Sequence, residues 1–255
     1  MLNKVEYVFP ATGKNKKLFK LLLELLKGVQ YVNTPREGEI HIGDAKLKPV
    51  TIFRLDDDAN YVHLVCGDSK FFNLTDRNTK KPLDVKRISG DEVLSKLAGR
   101  IHRVDHTGFN LPMSSYTEAE WNDLLKRLAG VCNVYNYPSG EPWPFVLPAT
   151  QAEHKAEITD FTLLREPKFE IVYDDFTNMV AIHIDMQTDM TKQQTEKLFP
   201  SNKGVYFSTL NDIFKSIYLD YCDSIDIRLD LRFTRPQGDF ESGKWLVREG
   251  GRIKS

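Results

Sequence analysis

The stretch Phe169 to Asp189, FEIVYDDFTNMVAIHIDMQTD, constrains this chain more than any other, because it holds two consecutive segments of alternating character. In the first, Phe169, Ile171 and Tyr173 take one face while Glu170, Val172 and Asp174 take the other. In the second, Ile182, Ile184 and Met186 are apolar, and His183, Asp185 and Gln187 share the opposite face. Period two is the mark of a β-strand that packs one side on a core. The alternation predicts two adjacent strands with Glu170 and His183 on their polar faces. A carboxylate and an imidazole on paired strands can reach one metal ion. The plainer alternative is the wet side of an antiparallel sheet.

Around this stretch an order of strand, amphipathic helix and further strands recurs, which predicts an α+β fold. A first copy opens at Val5 to Phe9. Its helix, from about Asn15 to Lys27, carries Leu18, Leu21, Leu22 and Leu25 at helical spacing, and strands follow at 31–32, 50–55 and 61–65. The charged segment Asp76 to Gly99 reads as a loop and short helix, an exposed connector dividing a module over 1–100 from a paired-module domain over 101–255. A second copy opens with HRVDHTGFNLP, residues 102–112. Thr117 and Glu120 form a capping box there, and Trp121, Leu124, Leu125 and Leu128 make the apolar stripe of its helix. Short strands at 134–137 and 145–147 flank the turn PSGEPWP, and FEIVYD closes the copy. A third copy opens with MVAIHIDMQT. Thr191 and Gln194 cap a short helix, 210–221 reads as another helix with Leu210, Ile213, Phe214, Ile217 and Tyr218 on one face, and the strands IDIRLDLRF and WLVREGG follow.

The net charge of -1 leaves no basic field for nucleic acid, and the lysines at 14, 16, 17 and 20 read as the solvated face of the first helix. The 3 cysteines, Cys66, Cys132 and Cys222, form no CxxC pair and lie in apolar segments, as buried thiols of a reducing compartment do. No signal-peptide pattern opens the sequence, and the most apolar helix, interrupted by Lys20 and Glu24, is too short for a bilayer. A cytoplasmic protein with no nucleic-acid and no membrane partner is expected; oligomeric state is not legible.

VDHTGFNLP followed by a helix, and the join of FEIVYD to AIHIDMQTDMTKQQTEKL, resemble module openings and joins in the glyoxalase, or vicinal-oxygen-chelate, superfamily. The resemblance covers roughly residues 101 to 235. It implies tandem βαβββ modules whose sheets curl around a shared cleft, each sheet backed by helices. By position it makes His106, Glu170 and His183 metal ligands. Asp230 stands where a fourth would lie, although the family more often has Glu there. The stretch from Tyr137 to Lys168 is long for the family, and a long insertion separates His183 from Asp230.

The chemistry of these residues agrees with a divalent ion such as Zn, Ni, Mn or Fe(II), and two His with one carboxylate leave positions open for a ligand. Asp185 and Gln187 share the face of His183 and suit a supporting role. For His106 a hydrogen-bonded structural histidine is the alternative. Asp230 also has one: Asp226, Arg228, Asp230 and Arg232 alternate in sign, as a solvated or salt-bridged strand face does. His41, His63, His102 and His154 show no ligand spacing, and neither a P-loop nor GxSxG is present. Three functions fit. One is a metal-dependent isomerase, lyase or dioxygenase acting on a small oxygenated molecule. Another is a metal-free small-molecule binder with Phe109, Trp143 and Tyr173 in its cleft. The third is an interaction scaffold.

Overall fold

The computed structural model describes residues 4–43, 50–66, 69–74, 85–129, 134–135, 145–146, 168–174, 179–200, 214–220, 225–232, 248–249 and 252–253. It is an α+β protein built on two mixed sheets. The first copy runs through β1 (Lys4–Pro10), α1 (Gly13–Leu25), β2 (Val32–Arg36), β3 (Glu39–Ile42) and β4 (Val50–Asp56), and β5 (His63–Cys66) and β6 (Ser69–Asn73) extend it. The sheet order is β2-β3-β4-β1-β5-β6, with β1 parallel to β4 and antiparallel to β5. Thr12 caps α1 by accepting from the Asn15 amide, and Leu18, Leu21, Leu22 and Leu25 are all buried, while Lys14, Lys16, Lys17 and Lys20 are exposed. That is the division between stripe and solvated face that helical spacing demands.

The second sheet holds the segments of interest. After β7 (Arg87–Ile88) and α2 (Gly90–Leu97), the chain forms β8 (Ile101–Pro112), α3 (Glu118–Ala129), β9 (Val134–Tyr135), β10 (Phe145–Val146) and β11 (Lys168–Asp174). It continues through β12 (Ala181–Thr188), α4 (Lys192–Leu198), β13 (Phe214–Leu219) and β14 (Asp226–Arg232). The order is β7-β13-β14-β12-β8-β11-β10-β9. From β8 outward, β8-β11-β10-β9 repeats the connectivity of β1-β4-β3-β2, and in both the opening strand runs parallel to the last strand of its copy. From β12 outward, β12-β14-β13 follows the same plan with β12 parallel to β14, and β7 fills the edge. The two halves meet where β8 and β12 pair antiparallel. β7 precedes residue 100 but belongs to this sheet. β15 (Arg248–Glu249) and β16 (Arg252–Ile253) pair separately.

Both expected capping boxes form. The Glu120 amide donates to Thr117 Oγ1 and the Thr117 amide to Glu120 Oε2, and Thr191 and Gln194 exchange the same two bonds. The helix expected at 210–221 is a strand where it is described, at Phe214–Leu219, and residues 210–213 and 221 lie outside the described residues. Ile217 and Leu219 alternate with Ser216 and Tyr218, so a short apolar run satisfied the helical template by chance while its β-branched and aromatic content favoured the strand.

An aromatic bridge joins the sheets. Tyr7 on β1 stacks on Phe53 at 5.0 Å, meets Phe109 of β8 edge-on at 6.4 Å and Phe169 of β11 at 5.9 Å. Beside it the Thr107 hydroxyl donates to Thr51 Oγ1 at 2.9 Å. This is the apolar face of β8 and β11, so the opposite face carries the polar residues. It is not a wet face: all eight residues of β12 and all seven of β14 are buried.

Candidate metal centre

β11 and β12 are not neighbours, against the expectation that Glu170 and His183 lie on paired strands; β8 runs between them. In register, Glu170 stands beside Gly108 and Gly108 beside His183. A Cβ on residue 108 would come within 2.1 Å of the Glu170 carbonyl oxygen and 2.7 Å of His183 Nε2. The bare glycine therefore leaves the gap through which the two side chains meet, Glu170 Oε2 lying 3.2 Å from His183 Nε2. One step along the same face of β8, His106 brings its Nε2 to 3.0 Å from the same carboxylate oxygen. The imidazoles are edge to face, 5.3 Å between centroids.

The three residues form a group whose ligand atoms all lie within 4.8 Å of one another. Donors about 2.0–2.2 Å from a tetrahedral ion sit roughly 3.4 Å apart, close to the two contacts with Glu170. His183 Nδ1 lies 3.0 Å from Asn110 Oδ1. With that nitrogen donating to the amide oxygen, Nε2 carries the lone pair. His183 Nε2 is buried facing Glu170 Oε2 at 3.2 Å and has no other polar partner among the described residues. A lone pair facing a carboxylate is the arrangement a cation between them would satisfy.

Charge points the same way. Burial pushes the His183 imidazole down to about 4, with the Arg228 guanidinium adding to the effect against the opposing pull of Glu170. Burial alone would raise the Glu170 carboxyl, but the two imidazoles, His106 foremost, outweigh it and hold the group well below the usual carboxylate range. The other buried acids of this face have cationic partners: Asp185 accepts from Arg232, Asp230 from Arg228, and Asp226 from Arg87. Glu170 faces two imidazoles instead. The imidazoles supply the balancing positive charge in the metal-free chain, and a divalent ion held by neutral imidazoles would supply it in their place.

Asp230 is not brought to this group. Its Oδ1 accepts from the Ser216 hydroxyl at 2.6 Å and its Oδ2 from Arg228 at 2.9 Å, which is the salt-bridged alternative of the sequence. The two halves of the sheet show why. His106 registers with Lys168 and Gly108 with Glu170; correspondingly His183 registers with Arg228 and Asp185 with Asp230. Asp230 thus occupies the counterpart of the Glu170 position, but with a shorter side chain, and the counterpart of bare Gly108 is Asp185. That carboxylate, held by Arg232, approaches His106 Nε2 to 3.8 Å.

Phe109 and Tyr173, expected in a binding cleft, lie on the other face. Phe109 is in the aromatic bridge, and Tyr173 stacks on Trp121 at 5.2 Å with its hydroxyl donating to the Tyr116 carbonyl. Trp143 lies outside the described residues. Sequence reasoning missed Gly108 and Asn110, although His106, Gly108 and Asn110 share one face of β8 by simple alternation. Among known proteins, no family model matches the chain and neither does any curated protein.

Proposed function

We propose that the protein is a glyoxalase-like metal-dependent enzyme in which His106, Glu170 and His183 hold one divalent ion, Zn, Ni, Mn or Fe, and leave its other positions to a small oxygenated molecule. The observation that carries this is the buried Nε2 of His183, turned by Asn110 toward Glu170 Oε2, with the Nε2 of His106 on the same oxygen. Three ligands rather than four among the described residues favour a reactive centre, since structural sites close their coordination with protein atoms and catalytic ones keep a position open. Such an ion polarises a carbonyl or activates water, which suits isomerase, lyase or dioxygenase chemistry. The chain's own part is to orient both imidazoles and to keep bulk water from a face whose strands are buried. A module pair built as β8-β11-β10-β9 and β12-β14-β13 around an antiparallel centre supports the family reading. Among the described residues, no helix is long and apolar enough to cross a membrane.

Metal analysis of the purified chain tests this. Close to one equivalent per chain is expected, lost in His183→Ala and kept in His63→Ala, and chelation should lower the melting temperature because the ion binds only the native state. If the wild-type chain carries no ion, and added Zn, Ni, Mn and Fe(II) leave its melting temperature unchanged, the proposal fails and a metal-free binding role replaces it.

A further inference from the structure

The row of register partners that contains the metal group does not stop there. Crossing the sheet on one face, it runs from Glu170 through Gly108 and His183 to Arg228 on β14 and Tyr218 on β13. Arg228 and Tyr218 are each 3% exposed. The Tyr218 hydroxyl is buried against Arg228, which can only donate to it, so its own proton has no acceptor among the described residues. A buried polar atom left so is uncommon and calls for an occupant such as water or ligand. Arg228, beside it in register, bears on the ionisation of both Tyr218 and His183.

Resting on the metal reading above, we infer that Tyr218 and Arg228 receive a carboxylate at the far end of the molecule whose near end sits on the ion, so the substrate class is a short oxo- or hydroxy-acid. The chemistry of the two groups selects that ligand. Burial pushes the Tyr218 hydroxyl up to about 12, so it keeps its proton and offers a donor at any ordinary pH. A guanidinium offers only donors. Two donors side by side call for an acceptor, and a charged one gains most in a buried setting. Neighbouring strands are about 4.8 Å apart, and Tyr218 stands two strands from His183, so the carboxylate belongs several bonds from the metal-binding oxygen rather than next to it. The ion and Glu170 together leave one positive charge, which also favours an anion.

A pair of probes isolates the far carboxylate. 2-Oxoglutarate and 2-oxopentanoate present the same chelating end to the ion, and differ in a terminal carboxylate against a terminal methyl. Titrated calorimetrically into the metal-loaded protein, 2-oxoglutarate should bind about tenfold or more tighter, as one charged hydrogen bond warrants. Tyr218→Phe keeps the ring and its volume; it should retain metal and melting temperature while the two probes converge. Arg228→Lys, which keeps a charge for Asp230, should narrow the difference too, and if it does not fold, Tyr218→Phe alone decides. A wild-type chain that takes up no metal removes the metal reading and this inference with it. A chain that takes up metal but binds both probes alike, binds neither, or keeps the full difference in Tyr218→Phe leaves the metal centre standing and overturns the carboxylate site, with a buried water as the occupant of the Tyr218 hydroxyl.

Discussion

Glu170 and His183 meet across an intervening strand, Oε2 to Nε2 at 3.2 Å, because the residue that stands between them in register is Gly108. Side chains on strands two apart are normally separated by the side chain of the middle strand. Here that side chain is missing, and one carboxylate can serve two imidazoles from different halves of the sheet. The centre depends on an absence as much as on its ligands.

Gly108→Ala should therefore damage the centre without touching a ligand. The added methyl would stand 2.1 Å from the Glu170 carbonyl oxygen, which is backbone and cannot swing away, and 2.7 Å from His183 Nε2. We expect a loss of roughly 1–3 kcal/mol in chemical denaturation, typical of overpacking, together with loss of bound metal. Wild-type metal content and stability in this variant would contradict the geometry.

Asp230→Asn separates the two candidates for the carboxylate ligand. Removing the charge leaves Arg228 buried beside a neutral amide, which costs about 3–5 kcal/mol when a buried pair is broken. Metal stoichiometry in the folded fraction should nonetheless stay that of the wild type, whereas Glu170→Gln should lose the ion. An Asp230→Asn protein that folds but holds no metal would make Asp230 a ligand after all.

Much of this architecture is legible in the sequence. Strict alternation in Phe169–Tyr173 and Ala181–Gln187, and the boxes at Thr117–Glu120 and Thr191–Gln194, are local signals that tertiary context does not override. The neighbour relations are not local. Nothing in FEIVYD and AIHIDMQT says that β8 will come between them, since hydrogen-bonding partners are chosen by the whole sheet. Phe214–Leu219 was misread because six residues are too few to tell period two from period 3.6. Asp230 has two readings in the sequence, ligand or salt-bridged strand face, and its contacts with Ser216 and Arg228 are neighbour relations that no local pattern carries.

Asn110 should govern metal affinity without binding metal. Its side-chain oxygen holds His183 Nδ1–H at 3.0 Å and so fixes which nitrogen faces Glu170. Replacing it by Ala should weaken metal binding roughly 10–100-fold, as loss of a partner behind a ligating histidine does. Competition against a fluorescent chelator measures this directly; an unchanged dissociation constant would mean that packing alone orients the ring.

The metal-free protein should lose stability as it is acidified through the range of His183. The sign follows from the direction of the shift: burial pushes the imidazole down to about 4 in the folded chain, against its ordinary 6.5 when unfolded. Between those values the unfolded chain binds the extra proton, so the contribution is fully present above 6.5 and is removed progressively as pH falls toward 4. A shift of that size corresponds to about 3 kcal/mol. Glu170, held low, adds its own loss below the ordinary carboxylate range, in the same direction. His63 is also depressed, by burial first, but it is part-exposed and should contribute less. Urea denaturation of the chelated protein at several values between pH 7 and pH 4 should show the decline, and His183→Asn should flatten most of it while His63→Asn should not. An equal slope in wild type and His183→Asn would show that the imidazole is already protonated in the fold, and that the lone pair assigned to Nε2 does not exist.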